Sequence, residues 1–77
     1  MILYRIIMTI EIKYNIGDVV WFHTLGINYK AKVTEVRTRI FADNDVIINY
    51  AIERRGYYYE RNEDELFPSK EELLKSL

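Results

Sequence analysis

The sequence predicts a mainly β fold: a small antiparallel barrel of five to six strands with a short C-terminal helix. Three observations carry that expectation. Apolar and polar residues alternate along most of the 77-residue chain, which is the period of a half-buried strand. Turn-forming groups interrupt the alternating runs at Gly17-Asp18, Leu25-Gly26-Ile27-Asn28, Ala42-Asp43-Asn44-Asp45 and Glu53-Arg54-Arg55-Gly56. Helix signals gather only after Pro68, where Ser69-Lys70-Glu71-Glu72-Leu73 combines an N-cap serine with early acids.

Taken in order, the chain begins with apolar residues at every even position from Ile2 to Ile16. Fifteen extended residues reach roughly 50 Å, too long for one strand of a small barrel. The segment therefore bends, or its first half leaves the body of the domain. Residues 1–7 read as an optional extension, because a chain opening at Met8 would begin in an ordinary mixed pattern. Ile2, Tyr4, Ile6 and Met8 form an apolar edge that invites pairing with a second copy, as a possible homodimer.

Gly17 and Asp18 make a tight turn into Val19-Val20-Trp21-Phe22, an unbroken apolar run that reads as a buried strand. Val20 and Phe22 share one face and Val19 and Trp21 the other, so something must cover Trp21; the expectation is that the chain itself mostly does. Tyr29 to Phe41 is the longest strand. Its phase slips near Thr34-Glu35, which predicts a bulge or sharp bend. Val46 to Ile52 alternates cleanly, and Tyr57-Tyr58-Tyr59-Glu60-Arg61 is a short aromatic strand. Leu73, Leu74 and Leu77 give the final helix one apolar side, which must dock because so short a helix does not persist alone. The expected organisation is an N-terminal strand or extension over 1–13, a barrel over 14–68 and a capping helix over 69–77.

The Gly17-Asp18-Val19-Val20 start, the bend after Val33 and the run of short strands resemble SH3-like small barrels of the Tudor and KOW kind. The ending Glu63-Asp64-Glu65-Leu66-Phe67-Pro68-Ser69-Lys70-Glu71-Glu72-Leu73 is similar to that of a group of small bacterial and phage proteins. That group shares a Gly-Asp-x-Val-Trp strand and a Leu-Phe-x-Ser/Thr-Lys-Glu-Glu-Leu tail. The resemblance spans about residues 14–77 and implies a fold but no activity; a phage or mobile-element accessory role follows from it alone.

Composition narrows the function classes. With no Cys, disulfides and thiolate zinc sites are excluded. The 49% hydrophobic and 14% aromatic fractions suit a packed core, although a chain this short buries only roughly 60% of its unfolded surface. No stretch is long enough to span a membrane as a helix, and a cytoplasmic location is expected. His23 is the one histidine, and Ser69 and Ser76 sit together near the tail. No nucleophile–base constellation follows, so no catalytic residue and no enzyme activity are expected. Asp43-Asn44-Asp45 lacks the later glycine and glutamate of a calcium loop. Neither a metal nor a cofactor is expected.

Two binding readings remain. The leading one is a non-enzymatic protein-interaction module, with a partner that is either a host protein or a second copy. Its surface would use Tyr29, Tyr50, Tyr57, Tyr58 and Tyr59 with Arg54 and Arg55, since tyrosine offers contact area with a polar tip. The alternative is a small nucleic-acid-binding barrel in which Lys30, Lys32, Arg37, Arg39 and Arg61 hold phosphates between the aromatics. A net charge of −1 counts against non-specific nucleic-acid affinity across the whole molecule. The charge is uneven, however: residues 1–42 hold six Lys/Arg against three Asp/Glu, and residues 43–77 five against nine.

Overall fold

A computed structural model describes residues 10–77. The chain forms β1 (Val19–Thr24), β2 (Ile27–Ile40), β3 (Val46–Arg54), β4 (Tyr57–Asn62), a 3-10 turn over Glu63–Glu65 and helix α1 (Lys70–Ser76). The four strands make one antiparallel meander in the order β1-β2-β3-β4.

The expected SH3-like barrel of five to six strands is not formed. β1 and β4 stay at opposite edges of a four-stranded sheet. Among the described residues the outer edge of β1 receives a single bridge, in which the main chains of Trp21 and Phe67 exchange hydrogen bonds of 2.8 and 2.9 Å. One bridging residue replaces the strand that closure requires.

A second reason lies before β1. The alternating pattern from Ile10 to Ile16 builds no strand. The Asn15 N–H donates to the Asp18 carboxylate at 2.8 Å and the Asp18 N–H returns to the Asn15 carbonyl at 3.0 Å. This turn, with Gly17 at a φ of 96°, breaks extension early. Tyr14 is buried, whereas Ile12 and Ile16 are exposed. The self-association strand read at Ile2, Tyr4, Ile6 and Met8 lies outside the described residues.

Two tight turns set the sheet register. Leu25-Gly26 and Arg55-Gly56 each place both residues at positive φ, the geometry whose twist matches two flanking strands. Within β2 the pairing with β3 shifts between Val33 and Glu35, so the predicted bulge is present. The Thr34 hydroxyl at the bulge donates to the Ala51 carbonyl at 3.2 Å.

The core lies on one face. Val20, Phe22, Val33, Tyr50 and Ile52 are fully enclosed, and Tyr14 and Leu66 close over them from outside the strands. Phe22 packs against Tyr59 with ring centroids 5.0 Å apart. The Ser69 hydroxyl caps α1 by accepting the Glu72 N–H at 3.2 Å. Only Leu73 of the expected Leu73–Leu74–Leu77 face is buried. The helix ends at Ser76, so Leu77 falls beyond the turn that would align it with Leu73.

Candidate functional site

The alternation that buries Val20 and Phe22 turns Val19 and Trp21 to the opposite face of the sheet. Trp21 stands opposite Lys30 on β2, and Val19 opposite Lys32. The second row continues from Lys32 to Glu53 on β3 and Tyr58 on β4. Val19, Trp21, Lys30, Lys32, Glu53 and Arg55 line an open groove of about 400 Å³.

The charge in this groove is one-sided. Among the described residues the ion pairs are Arg37 with Glu35 and Glu60, and Lys75 with Glu72. Lys30, Lys32 and Arg55 are in none of them. Lys70 joins from α1, with its ammonium 6.0 Å from the Trp21 ring centroid. The single groove carboxylate, Glu53, accepts the Gly56 N–H at 2.7 Å. Trp21 itself is half-buried: α1 and the Phe67 bridge flank it without sealing it.

The remaining predicted residues scatter. Tyr50 is fully enclosed, so its place at an interaction surface is corrected. Burial is tolerable because its hydroxyl is fully used. It donates to the Glu63 carboxylate and accepts the N–H groups of Lys13 and Tyr14 at 3.1 and 3.2 Å. Burial first, and then the hydrogen bond to Glu63, push the Tyr50 phenol above its ordinary pKa. The Tyr14 phenol is raised too, by burial and then by the Glu63 and Tyr50 charges, and it donates to the Leu66 carbonyl at 3.0 Å.

Tyr29 and Tyr59 pack against Phe22 rather than standing free. Tyr57 and Tyr58 are the exposed pair, at 69% and 73%; they point to opposite faces of β4. Arg54 lies over the Tyr29 ring at 4.6 Å, and Arg61 over Phe22 at 5.4 Å, so both guanidinium planes seal the core rim. Arg37 is held between two carboxylates, and Arg39 lies over Phe41 at 5.6 Å. Of the predicted binding side chains, Tyr29, Tyr59, Arg54 and Arg61 pack at the core rim, Arg37 is ion-paired, Tyr57 is exposed on the opposite face, and Lys30, Lys32, Arg55 and Tyr58 stand on the outer face.

A different surface lies at the far end of the β2–β3 hairpin. β4 pairs with β3 only between Asn49 and Arg54, so Val46–Ile48 runs on beside β2 without β4. There Ile40, Phe41 and Ile47 are 54%, 40% and 42% exposed. Ile10 and Glu11 approach this ribbon at Val46 and Ile48. The other edges are blunted. The Asn62 N–H donates to the Glu65 carboxylate at 2.9 Å, the Arg61 guanidinium donates to the Glu60 carbonyl at 2.8 Å, and the β1 edge pairs with Phe67.

His23 is exposed, and its Nδ1 is 2.7 Å from the Asn28 side-chain oxygen across the hairpin. Both serines serve α1, Ser69 as its cap and Ser76 by donating to the Leu73 carbonyl at 2.6 Å. Among the described residues no group of three or more His, Cys, Asp or Glu is placed to hold a metal ion. No helix there is long and apolar enough to cross a membrane.

By sequence pattern Trp21 and Val19 belong to a scaffold strand and Lys70 to the tail helix. The signal that groups Trp21 with the lysines is register: a two-residue turn at Leu25-Gly26 fixes Trp21 opposite Lys30. Lys70 gave no such signal, since it reaches the groove only through the docking of α1. No family model, curated protein or solved structure matches the chain. The resemblance to Tudor- and KOW-like barrels and to the bacterial and phage group is thereby left without support, and the open sheet contradicts its fold.

Proposed function

We propose that this chain is a non-enzymatic protein-interaction module whose partner is a second copy of itself, met through the β2–β3 ribbon. The observation that carries this reading is the exposure of Ile40, Phe41 and Ile47 on a ribbon that β4 does not accompany. Solvated ribbons of this kind ordinarily carry charges to discourage pairing. This one carries Arg37, tied to Glu35 and Glu60, and Arg39, laid over Phe41, and still exposes Ile40, Phe41 and Ile47. An exposed strand edge is self-complementary, because two antiparallel copies about a two-fold axis satisfy each other's main chain and bury the same residues twice. The occupied roles of His23, Ser69 and Ser76 support the non-enzymatic part of the reading.

Sedimentation velocity over a concentration series tests it. The ribbon is small, so the contact belongs at the weak end of specific interfaces, with a dissociation constant of about micromolar or higher. The expected result is a monomer–dimer equilibrium that Ile47→Lys shifts fully to monomer while circular dichroism stays unchanged. A wild-type chain that remains monomeric at every concentration, or an Ile47→Lys variant that dimerises as well as wild type, overturns the reading.

A further inference from the structure

We propose that the outer-face groove between Trp21 and the Arg55-Gly56 turn binds single-stranded nucleic acid. Phosphates would lie on Lys30, Lys32, Arg55 and Lys70, and bases would stack on Trp21 and Tyr58. This site is separate from the β2–β3 ribbon and does not depend on self-association.

Charge is the first argument. Lys30, Lys32 and Arg55 line one groove with Arg54, which lies over Tyr29, and Lys70 stands next to Trp21 at its border; none of the five is in an ion pair among the described residues. The sole groove carboxylate is turned to the Gly56 N–H. Although the chain has more acids than bases overall, Lys30, Lys32 and Arg55 converge on a groove that holds one carboxylate. Local potential, rather than net charge, attracts a polyanion to a concave surface.

The second argument separates nucleic acid from an acidic peptide. An aromatic ring stands at each end of the sheet's outer face: Trp21 beside Lys30, and Tyr58 beyond Glu53 in the row that starts at Lys32. Trp21 is half-buried on β1, and Tyr58 is 73% exposed on β4. These strands lie three spacings apart, about 14 Å, which leaves room for a short run of nucleotides between them. Carboxylates on a peptide would satisfy the lysines and leave both rings unused. A single strand uses both features, because every base has a stackable face and every linkage a phosphate. The groove is open rather than deep, so it suits a backbone laid across the sheet and not an engulfed small molecule.

Trp21 is the only tryptophan, so its fluorescence reads the proposed contact directly. The experiment titrates the whole chain at low salt with oligothymidylate and, separately, oligouridylate, each of about twelve nucleotides. Saturable quenching is expected, weakening with salt with a log–log slope of about −2 to −3 for three or four phosphate contacts. Lys30→Glu with Lys32→Glu lowers affinity at least about tenfold. Tyr58→Ala lowers it about tenfold. The Lys30→Arg, Lys32→Arg variant retains binding, and Arg39→Ala, which alters a cation on the ribbon, binds as wild type. Absence of quenching at low salt overturns the proposal. So does quenching by polyglutamate equal to that by the oligonucleotides, or an Arg39→Ala loss as large as that of the lysine reversal. Each variant's circular dichroism is compared with wild type, so a binding loss is read only on a folded chain.

Discussion

Tyr50 on β3 donates its hydroxyl hydrogen to the Glu63 carboxylate in the turn that follows β4, while the Tyr14 N–H donates to the same phenol oxygen at 3.2 Å. One side chain thereby fastens three segments that share no ladder: the approach to β1, the sheet and the turn after it. Glu63 strengthens the clasp by accepting the Lys13 N–H at 3.1 Å. In a sheet that does not close on itself, such side-chain ties hold the covering segments over the core face.

Tyr50→Phe tests that role. The ring still fills the core, so the loss is confined to polar pairing. Two main-chain donors and a carboxylate would lose their common partner, and a destabilisation of about 1–3 kcal/mol is expected. Chemical denaturation measures it. Glu63→Gln should cost less, because an amide oxygen still accepts from Tyr50 and Lys13. Equal stability of Tyr50→Phe and wild type would remove the clasp from the account of this fold.

The same two phenols predict a response to alkali. Tyr14 and Tyr50 both have pKa values raised in the folded chain, chiefly by burial. A raised folded-state value means that their contribution is complete below the unfolded tyrosine pKa of about 10. It is lost as pH climbs through the higher folded-state values. Stability should therefore fall above about pH 10, and the fall should be shallower in a Tyr14→Phe, Tyr50→Phe double variant. Thermal melts across that range provide the measurement; identical slopes for the two proteins would exclude these phenols as its source.

What the sequence makes legible follows from how locally each feature is determined. Period two correctly sorts Val20, Phe22, Val33, Tyr50 and Ile52 to one face, and the phase slip locates the bulge at Thr34. Ser69 announces its helix because a cap is a three-residue matter. Closure is not local. It depends on whether β1 meets another strand, and here Phe67 supplies a bridge where a barrel needs a ladder. The pattern from Ile10 to Ile16 misleads because alternation records candidate burial, whereas Asn15 and Asp18 decide the backbone path. The cations were legible as charges but not as partners. Arg54 and Arg61 spend theirs over Tyr29 and Phe22, and only the folded register leaves Lys30 and Lys32 beside Trp21.

Leu25 marks a site where stability can be gained. It is 92% exposed and held at a φ of 52°, directly before Gly26 in a two-residue hairpin turn. A leucine pays about 1–2 kcal/mol for that left-handed conformation, and its side chain recovers nothing by packing. Asn-Gly is the preferred pair for such a turn. Leu25→Asn should therefore stabilise the chain by about 0.5–1 kcal/mol, seen as a higher denaturation midpoint with an unchanged slope. A lower midpoint would mean that Leu25 makes a contact that outweighs its backbone strain.

Helix α1 should detach without unfolding the sheet. Leu73 is 1% exposed, yet it stands apart from the cluster built on Phe22, Tyr50 and Ile52. Its helix packs on β1, on the side where Lys70 reaches the Trp21 ring. Leu73→Ala removes the one buried anchor of a helix of seven residues, which is too short to persist undocked. A truncated core leucine costs about 2–5 kcal/mol where the whole fold depends on it. Here the loss should instead appear as local release, since undocking α1 leaves the strand ladders intact. The expected signature is a red shift of Trp21 emission with β-sheet circular dichroism preserved. Simultaneous loss of both signals in one transition would place Leu73 in the same cooperative unit as the sheet, and α1 would then be a structural member of the core rather than a cover for Trp21.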